Sequence, residues 1–212
     1  ADYIHYLADL IEHTKPNQKA RILDIGTGAN LIYPIIGSQA YGWTFLASDI
    51  DAIAVNSATL IAESNSNLKK KIKVAQQSNT QSFFQGLITE ADYFEATMCN
   101  PPFHSSAEEA KAGSDRKWRN LKGEQTKPTA LNFGGTKNEL WCEGGERAFV
   151  KEMIQESTQF QTQVGWFTSL ISKEENLKPL KQVLTQVGAI KVKVINMSQG
   201  QKVSRILAWS FK

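Results

Sequence analysis

The 212-residue sequence predicts an α/β fold: a mostly parallel seven-stranded sheet with helices on both faces and an antiparallel hairpin at its end. Three observations predict it. Short apolar runs alternate with helical stretches along most of the chain. The first run opens directly into a Gly-x-Gly turn. The last two runs are joined by a short link, which suits a hairpin better than a helical crossover.

The elements follow in order. Ile4, Leu7, Leu10 and Ile11 recur at helical spacing, so Tyr3 to His13 reads as a helix that Lys15-Pro16-Asn17 ends. Arg21 to Ile25 is the first strand, followed by Gly26-Thr27-Gly28. A helical stretch begins near Leu31 and is expected to break or restart at Pro34. Thr44 to Ser48 is the second strand, closed by Asp49, and Ala52 to Asn65 the next helix. Ile72 to Ala75 and Ala91 to Cys99 are the third and fourth strands, the latter running into Asn100-Pro101-Pro102-Phe103. Residues 104–144 hold five glycines and little periodicity, the pattern of a long functional or disordered segment. Glu146 to Thr158 returns to helix, Val164 to Ser172 is a strand, and Asn176 to Val187 a helix. Lys191 to Asn196 and Ile206 to Phe211 form the hairpin, joined by Met197 to Arg205.

Bulk properties exclude several classes. Hydrophobic residues are 41% and charged residues 21%, an ordinary globular composition, and a net charge of +3 is too small to argue nucleic-acid binding by itself. Cys99 and Cys142 have neither metal-ligand nor disulfide spacing and read as reduced thiols of a cytosolic protein. No run is long enough to span a bilayer and no signal peptide is visible, so a cytoplasmic protein without membrane or metal is expected. There are no internal repeats, and residues 1–212 read as a single domain. The chain starts at Ala1 rather than Met, so an upstream segment is expected before it.

The first turn points to a nucleoside ligand. In Asp24-Ile25-Gly26-Thr27-Gly28-Ala29-Asn30 the glycines allow a sharp turn and a close backbone approach. Some twenty residues on, Asp49 ends the second strand, where an acid can accept hydrogen bonds from both ribose hydroxyls. A dinucleotide fingerprint would place a third glycine at Leu31, and there is no Walker lysine. S-adenosylmethionine has no phosphates and needs neither. Asp24 suits its cationic methionine end, directly or through water, with Gly26, Thr27 and Gly28 beside it. Asp51 is a competing acid, better read as the cap of the following helix.

Asn100-Pro101-Pro102-Phe103 is the most informative stretch. The amine of an adenine is a poor nucleophile because its lone pair is delocalised into the ring. A site that methylates it must fix both amine hydrogens so that the developing lone pair faces the methyl group. The Asn100 side-chain oxygen can accept one hydrogen and the Pro101 carbonyl, stiffened by Pro102, the other. Both acceptors strengthen as positive charge develops on nitrogen, so they favour the transition state. Phe103 offers a face on which a flipped base can stack. Asn-Pro-Pro with an aromatic also serves protein-glutamine and DNA-adenine methyltransferases, so those acceptors stay open as alternatives. So does a non-catalytic RNA-binding factor, against which the intact Asp24, Asp49 and Asn100 argue.

With these motifs in place, the chain resembles the bacterial 23S ribosomal RNA adenine-N6 methyltransferases of the F type, whose wider family includes a eukaryotic methyltransferase of small nuclear RNA. Beyond the tetrapeptide, the resemblance rests on Tyr3-Ile4-His5-Tyr6, on Asp24 to Asn30 with Ile32-Tyr33-Pro34, on Trp141-Cys142-Glu143-Gly144-Gly145-Glu146, and on Gln199-Gly200-Gln201-Lys202 with Ser204-Arg205. It implies a Rossmann-like class I S-adenosylmethionine-dependent methyltransferase acting on one adenine of 23S ribosomal RNA, free or in a large-subunit assembly intermediate. It implies that Gly26, Gly28 and Asp49 contact the cofactor, Ser78 its adenine, and Asn100 to Phe103 the target base. Family members carry residues, including a basic segment, ahead of where this chain starts.

Other residues divide between functional and ordinary readings. Six cations, Lys111, Arg116, Lys117, Arg119, Lys122 and Lys127, surround Trp118 with only Asp115 and Glu124 opposing them. They suit phosphate contacts and base stacking, or a solvated loop. Lys202 and Arg205 divide the same way. Gly144-Gly145-Glu146 reads as a base-pocket wall or as a helix start with an acid favoured by the dipole, the second for Glu146. Phe133-Gly134-Gly135 closes over a target or is an ordinary turn. His5 and His104 lack partner spacing, and Trp43, Trp166 and Trp209 read as core.

Overall fold

Seven strands hydrogen-bond into one sheet in a computed structural model that describes residues 2–12, 19–102, 144–199 and 202–212. The strands are β1 Arg21–Ile25, β2 Thr44–Asp49, β3 Ile72–Gln76, β4 Phe94–Cys99, β5 Val164–Ile171, β6 Lys191–Gln199 and β7 Lys202–Ser210. Their order is β3-β2-β1-β4-β5-β7-β6. β1 to β5 run parallel to one another; β7 runs antiparallel to both β5 and β6. This is the mostly parallel sheet with a terminal antiparallel hairpin that the sequence predicts.

Among the described residues the α-helices are α1 Asp2–Glu12, α2 Ile32–Ala40, α3 Ala52–Ser64, α4 Ser66–Lys69, α5 Gly145–Ser157 and α6 Leu177–Gln186. Side chains alternate across each strand, so β1 sends Ile22 to one face and Leu23 to the other. On the first face Ile22, Phe45, Ala47, Ala96 and Met98 pack with Ile4, Leu7 and Ile11 of α1 and with α3. On the second, Leu23, Phe167, Leu207 and Trp209 pack with Val150, Met153 and Ile154 of α5 and with Leu180 and Leu184 of α6. Full burial of each large aliphatic side chain contributes about 1.5–3 kcal/mol, so the two layers hold the strand ends in place. α3 buries Ala54, Ala58 and Ala62, a stripe of small residues that lets its backbone approach the sheet. Asp51 caps it as read, accepting from Ile53 N–H at 2.8 Å. Trp43, Trp166 and Trp209 are buried, as expected.

Four expectations need correction. Pro34 does not break α2, which runs unbroken from Ile32 to Ala40; Pro34 sits in the first turn, where its missing N–H has no intrahelical partner to lose. β4 begins at Phe94, not Ala91, because Asp92 folds back to accept from Thr89 N–H (2.9 Å) and Thr89 Oγ1 (2.7 Å) in a turn. β6 and β7 pair as far as Gln199↔Lys202, absorbing most of the predicted loop; ladder hydrogen bonds need no apolar side chain. Glu146 lies in the first turn of α5, as read, but is only 2% exposed and reaches across to the next junction. It accepts from Ser172 N–H (2.7 Å), the Ser172 hydroxyl and Asn176 Nδ2 (2.8 Å). Lys15-Pro16-Asn17 falls outside the described residues. No helix among the described residues is long and apolar enough to cross a membrane.

Candidate active site

The turn after β1 is tied to the end of β2. Ser48 C=O accepts from both Gly26 N–H and Thr27 N–H at 2.9 Å. Gly28 N–H donates to Asp49 Oδ2 at 2.9 Å. Gly26 and Gly28 adopt φ of 70° and 66°, a left-handed geometry that strains a residue with a Cβ, and the space beside Gly26 is open. Asp49 Oδ1 accepts from Asp51 N–H at 3.0 Å. Each carboxylate oxygen therefore keeps a lone pair for a further donor such as a ribose hydroxyl.

Topology brings the second motif to the same place. β1 lies between β2 and β4, and Ile25 is in register with Ser48 on one side and Cys99 on the other. The carboxyl ends of all three strands align, so the glycine turn, Asp49 and Asn100-Pro101-Pro102 rise from one edge. Ligands of open α/β sheets bind at such edges. Between them lies a cavity of about 590 Å³, lined by Gly26 to Asn30, Asp49, Ile50, Asn100, Pro101 and Pro102 among others. Asn100 is exposed and Pro101 buried.

Asp24 sits behind the lining. It is 1% exposed, and its Oδ2 has no hydrogen-bond partner. Burial pushes its carboxyl up to about 7; the Thr27 hydroxyl opposes this and the charge of Asp49 adds to it. Burial, with smaller contributions from Asp24 and Cys99, pushes Tyr33 up to about 12. Burial also raises the Cys99 thiol well above its usual value, with Asp24 and Asp49 adding to it. Thr27, Tyr33, Asp49 and Cys99 all line the cavity, so the Asp24 carboxyl, when ionised, acts electrostatically on groups of its wall. A buried carboxyl with one unpartnered oxygen fits a ligand that carries positive charge.

The walls include residues that the sequence did not single out. Phe83 and Phe149 meet edge to face, centroids 4.9 Å apart, and both line the cavity. Glu156 of α5 holds that side by accepting from the N–H groups of Phe83, Phe84 and Gln85 at 2.7–2.9 Å. Ser78 is exposed and is not part of the lining, whereas Gln77, Thr80 and Ser82 beside it are. Ile50 and Tyr33, the latter from the Ile32-Tyr33-Pro34 stretch, complete the apolar wall; an apolar residue directly after Asp49 was the signal that could have found Ile50. Arg205 is engaged by Glu174 at 2.6 Å, and exposed His5 pairs through Nδ1 with Tyr41 Oη at 2.6 Å. Phe103, His104, the cations of 111–127 with Trp118, Phe133-Gly134-Gly135 and Trp141 to Glu143 lie outside the described residues.

A mostly parallel sheet of this order, with a glycine turn, Asp49 and an Asn-Pro-Pro turn on one cavity, is the Rossmann-like fold of class I methyltransferases. The chain belongs to the family described as RNA methyltransferase, which it matches over residues 1–212. It is 56% identical to the ribosomal RNA large subunit methyltransferase F of Psychromonas ingrahamii over 99% of this chain and 70% of that protein. To the protein of the same name from Desulfotalea psychrophila it is 53% identical, over 100% of this chain and 70% of the relative. Among solved structures it resembles the hMettl16 catalytic domain in complex with the MAT2A 3'UTR hairpin 1, with a TM-score of 0.79 and 35% identity over 99% of this chain and 68% of that one. The N-terminal domain of human METTL16 in complex with SAH aligns at a TM-score of 0.74 and 30% identity, over 99% of this chain and 69% of that one.

Proposed function

We propose that residues 1–212 act as one methyltransferase domain that uses S-adenosylmethionine to methylate the exocyclic N6 amine of an adenine in 23S ribosomal RNA, free or within a large-subunit assembly intermediate. The observation that carries this reading is the shared cavity: the glycine turn and Asp49 face the Asn100-Pro101-Pro102 turn across it. The names of the relatives support the ribosomal substrate, and the neighbours bound to RNA and to SAH support the ligand classes.

The bound cofactor supplies an electrophilic methyl group on a sulfonium. Asp49 accepts the ribose hydroxyls with its remaining lone pairs, and the field of Asp24 favours the cationic end. The Asn100 side-chain oxygen and the Pro101 carbonyl each accept one amine hydrogen, turning the nitrogen lone pair toward the methyl group. Both acceptors would tighten as positive charge developed on the amine nitrogen, and so would favour the transition state for methyl transfer. The spare proton then leaves the amine for solvent. The sequence assigns Phe103 to stacking on the base and offers the cations of 111–127 for the RNA backbone.

The test offers methyl-labelled cofactor with ribosomal RNA, DNA and release-factor protein in parallel. Label is expected in RNA, as N6-methyladenine. Asn100→Ala is expected to lower turnover on the order of 100-fold or more while cofactor affinity, measured by calorimetry, is unchanged. Full transfer by Asn100→Ala, or label in the protein or DNA instead, would refute the proposal.

A further inference from the structure

The Asn100-Pro101-Pro102 turn hangs from the end of β4, and that end lacks a strand partner on one side. The β4–β5 ladder stops at Ala96↔Trp166. β4 remains paired with β1 as far as Cys99↔Ile25, and β5 with β7 as far as Ile171↔Arg205. Thr97 and Cys99 are alternate residues of β4, so both turn their backbone groups toward the β5 side. Neither group finds β5 backbone there. The Thr168 hydroxyl donates to Thr97 C=O at 2.6 Å. Cys99 N–H donates to the Tyr3 phenol oxygen at 3.2 Å. Tyr3 and Thr168 are themselves joined, Oη to Oγ1, at 2.7 Å. Because the single Thr168 hydroxyl proton is committed to Thr97, the Tyr3 hydroxyl is the donor between them.

The resulting chain, Cys99 N–H to Tyr3 O–H to Thr168 O–H to Thr97 C=O, is buried at every member: Tyr3 is 2% exposed, Cys99 1%, and Thr97 and Thr168 0%. Burial also raises the Tyr3 phenol well above its ordinary pKa, so it stays a neutral donor. The Tyr3 ring meets Tyr33 edge-on, centroids 5.5 Å apart, and Tyr33 lines the cavity. One side chain from the first turn of α1 thus touches the cofactor wall and holds the last backbone N–H before Asn100.

We propose that Tyr3 is a positioning residue for methyl transfer: through the Cys99 N–H it sets where β4 releases the Asn100-Pro101-Pro102 turn into the cavity, and Thr168 holds Tyr3 in place. The proposal rests on the reading of that turn as the amine-holding element. A turn that must align a nitrogen lone pair with a methyl group is sensitive to displacements well under 1 Å, whereas a merely packed tyrosine is not.

The experiment measures turnover on ribosomal RNA, cofactor affinity by calorimetry and thermal unfolding, for the full chain and its variants. Tyr3→Phe and Thr168→Val should each lower kcat by about tenfold or more with cofactor Kd within about twofold. Thr168→Ser, which keeps the hydroxyl, should restore kcat. Tyr3→Phe combined with Thr168→Val should lose little more than the worse single variant, because both break one linkage. Leu184→Ala, on the buried face of α6 in the opposite layer, should lower the melting temperature and leave kcat alone. If Tyr3→Phe fails to fold, the Val and Ser variants at Thr168 carry the test. Undiminished kcat in Thr168→Val and Tyr3→Phe, or a loss that Leu184→Ala reproduces at equal melting temperature, would overturn the proposal. An inactive Asn100→Ala beside a fully active Tyr3→Phe removes this inference alone. A fully active Asn100→Ala removes the proposed function with it.

Discussion

Replacing Asp24 by Asn should change how stability depends on pH, with a size that the burial of Asp24 sets. Its carboxyl is raised from 3.8 to about 7, chiefly by desolvation. The native state therefore keeps a proton that the unfolded chain releases near pH 4. Raising the pH through this window favours unfolding. The stabilisation is complete below the unfolded value, falls by ~1.4 kcal/mol per pH unit above it, and is gone once the pH passes about 7. The full span is about 4 kcal/mol, of which about 2 kcal/mol falls between pH 5 and 7. Asn cannot titrate, so the wild-type chain should lose about that much stability relative to Asp24→Asn across those two units. Urea unfolding of both proteins at pH 5, 6, 7 and 8 measures it. Parallel stability curves between pH 5 and 7 would refute the burial argument. S-adenosylmethionine, if it places its ammonium group near this carboxyl, should lower the Asp24 pKa. Binding at pH 6 should then release protons from the wild type and not from Asp24→Asn, measurable as a buffer-dependent binding enthalpy.

Two further outcomes follow from the same geometry. Asp49→Asn trades one acceptor oxygen for an amide that must face a backbone N–H, either Gly28 or Asp51; cofactor affinity should fall on the order of 10- to 100-fold, and an unchanged Kd by calorimetry would remove Asp49 from the ribose site. Leu31→Gly should relax a left-handed residue (φ 51°) but forfeit a fully buried side chain; relief of about 1 kcal/mol against a loss of about 2–5 kcal/mol predicts a less stable protein in urea, and a more stable one would show that packing does not hold that turn.

Leu31 marks how much of the site was legible. The sequence places Leu31 where a dinucleotide fold would have its third glycine, and the backbone there is indeed left-handed, a glycine-type geometry. The side chain, 0% exposed, is kept for the core. Both motifs were legible because each is local: a glycine turn and an Asn-Pro-Pro turn are set by residues adjacent in the chain. Phe83, Phe149, Gln77 and Thr80 were not, because they reach the cavity from segments whose own patterns look like ordinary loop and helix. Glu146 was read from its neighbours as a helix-start acid, while its hydrogen bonds go to Ser172 and Asn176, 26 and 30 residues away.

By itself the sequence determined the element order, the parallel sheet with its terminal hairpin and the two chemical motifs, since periodicity, strand ends and turn chemistry are short-range properties of a chain. Only the tertiary structure decided that β1 lies between β2 and β4, that Asp24 stays behind the cavity wall, and that Tyr3 occupies the gap between β4 and β5. Those depend on which distant surfaces exclude water together and which buried donors find acceptors, as with the Tyr3 phenol and the Cys99 N–H, 96 residues apart.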